Sequence, residues 1–254
     1  MNTLTLNAGR ITALGRSELT LLVRNRATLT LALLMPLMMV FVLRSSLGDS
    51  EGAQAVGEAT LTGGIGMVLL LVVHMNLVSS YVARREELVL KRLRTGEASD
   101  VEILSGTALP AAALALAQIA VLTVAGAAVL DVAAPRNPLL ILAAVLAGVL
   151  LLAALSAVTS SFTRTVETAG LTTLPLFLAS VLGSGMFAPV DSLPDVVASV
   201  CELLPLSGVM TLVRAGWSGG AAGGDLLGAG LTTLAWIMIS VFAVQRWFRW
   251  EPRR

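Results

Sequence analysis

The chain is poor in charge, cysteine and histidine, and each scarcity excludes something. Only 13% of its 254 residues are Asp, Glu, Lys or Arg, where a soluble domain carries roughly a quarter. The single cysteine, Cys201, excludes an intrachain disulfide. The single histidine, His74, has no cluster of Cys, Asp or Glu around it, so no metal site and no HExxH protease motif is expected. His74 with Ser79 or Ser80 makes a poor hydrolytic pair, because those spacings do not bring side chains together on a helix. No GxxxxGK[ST] run occurs, and the Gly-rich stretch from Trp217 to Gly224 lacks its lysine and spacing, so it reads as a linker. Short alternating strands of the barrel kind are also missing. A cleavable leader is not expected, because the first apolar run begins near Leu29, behind Arg10, Arg16, Arg24 and Arg26, and has full span length.

What remains is apolar: 56% hydrophobic residues and a mean hydropathy of +0.86. Several runs approach the roughly 20 residues that cross a bilayer. The sequence therefore predicts an all-α membrane protein, one transmembrane domain over residues 1–254. Six spans are expected, near 29–47, 59–82, 106–130, 139–162, 169–187 and 225–244. Ahead of them, residues 3–27 place Ile11, Leu14, Leu19, Leu21 and Leu22 on one helical side and Arg16, Ser17, Thr20 and Arg24 on the other. That pattern fits an interfacial helix, though Glu18 intrudes on the apolar side; a solvated tail is the alternative. Gly63, Gly64 and Gly66 permit close helix approach in span two. Between spans five and six, Pro189, Pro194 and Pro205 cut residues 188–217 into pieces too short to span, read as re-entrant or interfacial helices capped from Asp191 or Ser192.

Six spans put both termini on one side, and the distribution of cations says which. With the termini cytoplasmic, the inside holds Arg10, Arg16, Arg24, Arg26, Arg84, Arg85, Lys91, Arg92, Arg94, Arg164, Arg246, Arg249, Arg253 and Arg254. The outside holds Arg44, Arg136 and Arg214 alone. That is the positive-inside signature. Trp247 and Trp250 beside the terminal arginines read as an interface belt.

Polar groups inside spans are expensive and face protein or water. His74 and Asn76 in span two are either structural hydrogen-bonders or lining of a transport path. Met35, Met38 and Met39 beside Pro36 are either ordinary apolar contact or an adaptable path surface, and Phe187 joins this candidate set.

The one long charged run between apolar segments is residues 83–105. Arg84 to Thr95 reads as one short helix that Gly96 ends, with Val89, Leu90 and Leu93 on one side and Glu86 between Val89 and Leu90. Glu87 and Lys91 are spaced for an i, i+4 pair. Ser99, Asp100 and Glu102 open a second short segment before span three. By composition alone this loop is either a docking handle or a solvated turn.

Two stretches resemble one family. YVARREELVLKRLRTGE is similar to the cytoplasmic loop after the second span in type-2 ABC export permeases, among them the daunorubicin-resistance type of actinobacteria. The match is carried by Arg85, Glu86, Glu87, Leu90, Arg92 and Leu93, while Leu88, Val89 and Gly96 depart from the usual pattern. The compositional bias toward Ala, Leu, Val, Gly and Arg suits a GC-rich bacterium. GMFAPVDSLPDVVASVCELLPLSGVMTLVRA is similar to the family segment before the last span, through Gly185, Phe187, Pro189, Leu193, Pro194, Leu204, Pro205, Arg214 and Ala215. The resemblance implies a permease that pairs with a second copy or a related chain, resting on two copies of an ATPase subunit in the bacterial plasma membrane. ATP and magnesium would belong to that subunit; no cofactor on this chain and no nucleic-acid partner is implied. It implies coupling through Arg85, Glu86, Glu87, Leu90, Lys91, Arg92, Leu93 and Arg94, and an extracellular cap including Pro189, Leu193, Pro194, Leu204 and Pro205. Charge reversal at Glu86 or Glu87, or Leu90→Asp, is expected to uncouple ATP hydrolysis from export. The cargo expected is hydrophobic or amphipathic: a drug, natural product or lipid. A secondary transporter is the competing reading, along with a non-transporting assembly protein. Ion coupling would need midplane acids, and only Glu167 and Glu202 come near.

Overall fold

The computed structural model describes residues 53–96, 99–130, 132–186, 194–219 and 221–251, with isolated positions between 9 and 45. Of the expected interfacial helix at 3–27 only Gly9, Arg16 and Thr20 are described, and of the first span at 29–47 only Thr30, Leu34, Met35, Leu37, Met38, Val40, Phe41, Val42 and Ser45, all of them helical. The expected capping residues Asp191 and Ser192 lie outside the described residues.

Everything regular among the described residues is helical. The centre is one continuous rod, Gln54–Glu86. It is built from α1 (Ala53–Val68), a π-helical stretch (Leu69–Met75) and α2 (Asn76–Glu86). Its 33 residues make a length of about 50 Å at 1.5 Å per residue. A hydrocarbon core is about 30 Å thick, so the rod must project beyond it. Its middle is sealed: Leu69, Leu70, Val73 and His74 are inaccessible to solvent. Within the π-helical stretch the His74 carbonyl accepts from the Ser156 hydroxyl, on the helix Pro138–Phe162, at 3.2 Å.

A short helix α3 (Val89–Arg94) follows the rod. Next comes α4 (Asp100–Val129), begun by a capping box in which Ser99 and Glu102 satisfy each other's backbone N–H. The expected break before span three is thus absent, because the cap lets the charged residues start the spanning helix itself. Helix α5 (Pro138–Phe162) starts on Asn137, whose side chain accepts from the Leu140 N–H, with proline in the first turn where its missing N–H costs nothing. The last elements are α6 (Ala169–Gly183), α7 (Asp195–Glu202), α8 (Ser207–Ser218) and α9 (Gly223–Trp247).

Among the described residues four helices are long and apolar enough to cross a membrane: the rod, α4, α5 and α9. A fifth is reached if α7 and α8, bent by 87° around Leu203–Leu206, act as one span. The expected six are not all present among the described residues. Helix α6 has 15 residues, about 22 Å, and falls short of a full crossing. The bend holds the buried Pro205, which removes a helical hydrogen bond where the chain turns.

Helices α5, α8 and α9 pack closely on one another, and α5 and α8 pack on the rod. Glycine makes this possible: a Cβ on Gly208 would lie 2.5 Å from the Ala229 carbonyl oxygen of α9. The outward sides of α5, α6 and α9 are apolar, with Leu139, Leu171, Leu182, Leu227, Leu231 and Phe242 all exposed. Such faces suit lipid tails.

Candidate functional site

The site lies where the rod ends. Helix α2 stops at Glu86, and Glu87 (ψ 0°) and Leu88 (φ 59°) reverse the chain. The Leu88 N–H bonds to the Arg85 carbonyl at 3.1 Å, and the Arg92 N–H picks up the Leu88 carbonyl at 3.0 Å to start α3. A left-handed residue after a helix is ordinarily glycine. Leu88 is the non-glycine residue with positive φ among the described residues, and its side chain is 40% exposed.

This turn corrects the single helix expected over Arg84–Thr95. Glu86 and Leu90 belong to different helices, so Glu86 does not sit on the apolar side of α3. The expected Glu87–Lys91 pair is not formed, because the left-handed residue between them breaks the i, i+4 register. Lys91 instead reaches Glu251, Nζ to Oε1 2.9 Å. Leu90 points into its own chain and is wholly buried, so an aspartate there would disrupt packing before it tested any coupling role.

Arg85 is also buried, at 1% exposure. Its Nη1 donates to the Ser160 carbonyl at 2.7 Å and its Nη2 to the Thr163 carbonyl at 2.5 Å. Those are the last carbonyls of α5, where a cation is favoured by the helix dipole. Arg94 forms a fork-to-fork pair with Asp100, Nε–Oδ1 3.0 Å and Nη2–Oδ2 3.3 Å. Its guanidinium also lies 4.7 Å from the Trp250 ring, within cation–π range. Phe248 meets Trp250 and Tyr81 edge-on, at 4.8 and 6.1 Å between ring centroids. The Tyr81 hydroxyl donates to the Leu104 carbonyl at 3.1 Å. Trp250, expected in an interface belt with Trp247, is thus half-buried against α3, while Trp247 is exposed.

The eight expected coupling residues therefore divide. Arg85 and Leu90 face inward, Leu93 is half-buried, and Lys91 and Arg94 are held by the C-terminal segment or by α4. Glu86, Glu87 and Arg92 are exposed, and their side chains have no polar partner among the described residues. Leu88, which the sequence singled out only as a departure, stands at the tip beside them.

The expected path residues are not drawn together. His74 is sealed between the rod and α5, its Nδ1 3.1 Å from Ser156 Oγ. Its Nε2 has no hydrogen-bond partner among the described residues. Asn76 is exposed, as are Met35 and Met38; Met39 and Phe187 lie outside the described residues. Of the cap set, Pro194 precedes α7 and is exposed, Leu204 is half-buried and Pro205 is buried, while Pro189 and Leu193 lie outside the described residues.

At the opposite end of the rod a cavity of about 760 Å³ opens between α1, α6, α8 and α9. Thr62, Met186, Ser207, Thr211, Arg214 and Asp225 are among its lining residues. Arg214 Nη1 donates to the Ser184 carbonyl at 2.7 Å, tying α8 to the end of α6. Sequence reading finds Arg214 as an outside cation and as part of the stretch that resembles the family; its distance from α6 in the chain conceals the contact.

No curated protein matches the chain. A family model described as ABC-2 type transporter matches residues 9–217. That span contains the rod, the α2–α3 turn and the bent α7–α8 pair. The chain belongs to the ABC-2 type transporter family.

Proposed function

We propose that this chain is the membrane-spanning permease subunit of an ATP-driven exporter, working with a separate ATPase subunit. Family membership carries the transport role, and makes the chain a membrane component of a transporter rather than its catalyst. Two permease chains, identical or related, would rest on two ATPase subunits, with ATP and magnesium held by the latter. Six spans, the first from residues 29–47, would keep both termini in the bacterial cytoplasm. The cargo would be hydrophobic or amphipathic, in keeping with a bundle so poor in fixed charge.

One observation supports coupling at the α2–α3 turn above any other place. The turn presents Glu86, Glu87, Leu88 and Arg92 to solvent while the residues beneath them are fixed to α4, α5 and the C-terminal segment. A surface that projects and cannot deform independently is what moving a bundle from outside requires. The test is co-expression with a tagged ABC ATPase subunit and reconstitution into vesicles. ATP-dependent export by the pair, absent from either chain alone, is the expected result. Transport by this chain alone on a proton gradient would refute the reading and favour a secondary transporter.

A further inference from the structure

The sequence and the resemblance place Arg85 among the residues that touch the ATPase. The geometry points to a different role, and this inference rests on the reading of the chain as an ABC permease. We propose that Arg85 is the joint through which displacement of the α2–α3 turn reaches the α5–α6 turn, and that it makes no contact with the ATPase.

Three residues of α2 define the joint. Val78, Val82 and Arg85 are spaced i, i+4 and i+7, so they share one stripe of the helix. All three are buried. Val78 and Val82 pack with Ala169, the first residue of α6. Arg85 holds the carbonyls of Ser160 and Thr163 at the end of α5. The stripe therefore grips both sides of the short connection between α5 and α6.

That connection is itself stiff. The Thr168 hydroxyl accepts from the Thr165 N–H at 3.1 Å and donates to the Thr165 carbonyl at 2.9 Å. The Ala169 N–H bonds back to Val166 at 3.2 Å. A push on Glu86 and Glu87 cannot bend this assembly without breaking charge-assisted hydrogen bonds inside a water-poor interface, where they are strongest. Load would pass from the α2–α3 turn into α5 and α6 together. Among the described residues α6 packs chiefly on the rod, α5 and α7, and far less extensively than α5 does, so it is the freer of the two to follow.

The test uses the full chain reconstituted with a tagged ABC ATPase subunit that supports its ATP-driven export. Arg85→Gln is expected to leave capture of that subunit within about twofold of the parent and to preserve ATP hydrolysis. Export is expected to fall at least about tenfold, the effect of losing one such bond at 1.4 kcal/mol. Arg85→Lys, which keeps the charge but cannot span both carbonyls, should recover part of the export with the same capture. It also supplies the same comparison where Arg85→Gln does not accumulate in the membrane. A surface control, Glu86→Lys with Glu87→Lys, should lose capture instead. Loss of capture by the Arg85 variants would make Arg85 a contact residue and overturn the proposal. A fall in hydrolysis and export in parallel with the amount of folded protein would make the role purely structural and overturn it equally. If the parent chain itself captures no ATPase subunit, the permease reading fails, and the joint with it.

Discussion

At Leu88 one side chain sets local geometry and local chemistry against each other. Its left-handed backbone costs an L-residue about 1–2 kcal/mol, which glycine would avoid. Its side chain is 40% exposed, so little packing offsets that cost. Leu88→Gly should therefore keep the thermal midpoint or raise it, read by melting the purified chain in detergent, while weakening capture of an ATPase subunit. A lower midpoint would mean that Leu88 is packed more tightly than its exposure indicates. Glycines give a second contrast. Gly208→Ala places a Cβ 2.5 Å from the Ala229 backbone oxygen, which no side-chain rotation can relieve. Gly230→Ala meets nothing within 4 Å and gains helix propensity of up to about 1 kcal/mol. The first should lower the melting temperature and the second should not; equal effects would refute the close packing of α8 on α9. None of this could be read from the sequence. Leucine carries no signal for a left-handed turn, and both glycines lie in similar small-residue stretches.

The elements were more legible than their ends. Apolar runs place the rod, α4, α5 and α9, because bilayer-length hydrophobicity is a strong signal. The ends are illegible wherever charged residues extend a spanning helix. Ser99-x-x-Glu102 is a capping-box pattern, and reading it as such would have begun span three at Asp100. At the other end of α2, the buried stripe Val78, Val82, Arg85 was visible as i, i+4, i+7 spacing. Burial of the arginine that ends it carries no sequence signal, because arginine is almost never fully buried unless paired. The C-terminal segment is a comparable case: Glu251 and Trp250 meet α3 across most of the chain length, and no local pattern announces such a contact. Its worth can be measured. An exposed pair such as Lys91–Glu251 contributes about 0.2–1 kcal/mol, so Lys91→Glu or Glu251→Lys alone should speed amide exchange over residues 89–96 by about threefold. The double exchange of charges should restore the parent rate. If both single variants exchange like the parent, the segment does not hold α3.

On the scale of the whole molecule the question is which end faces which side. Charge counting assigns the cytoplasm to the end bearing Arg84, Arg85, Lys91, Arg92, Arg94 and Arg164. The structure brings these to one pole independently of that count. Arg85 lies against the last carbonyls of α5, and Arg164 follows directly after them. Arg136 lies at the other end of α5, where its side chain comes within 2.8 Å of the position a Cβ on Gly219 would take. Arg214, too, belongs with the cavity at the far pole from α3. Two poles of unequal charge joined by apolar helices make a labelling experiment decisive. Cys201 is the lone native cysteine and is buried, so Cys201→Ser provides a clean background. In that background Arg92→Cys and Arg164→Cys should resist a membrane-impermeant maleimide in intact cells and react once the cells are opened. Arg136→Cys and Ala221→Cys should react in intact cells. The reverse pattern would invert the orientation and place the α2–α3 turn where no cytoplasmic ATPase could reach it. Labelling of Arg92→Cys and Arg136→Cys from the same side would break the fold itself, because α4 would then fail to cross the membrane between them.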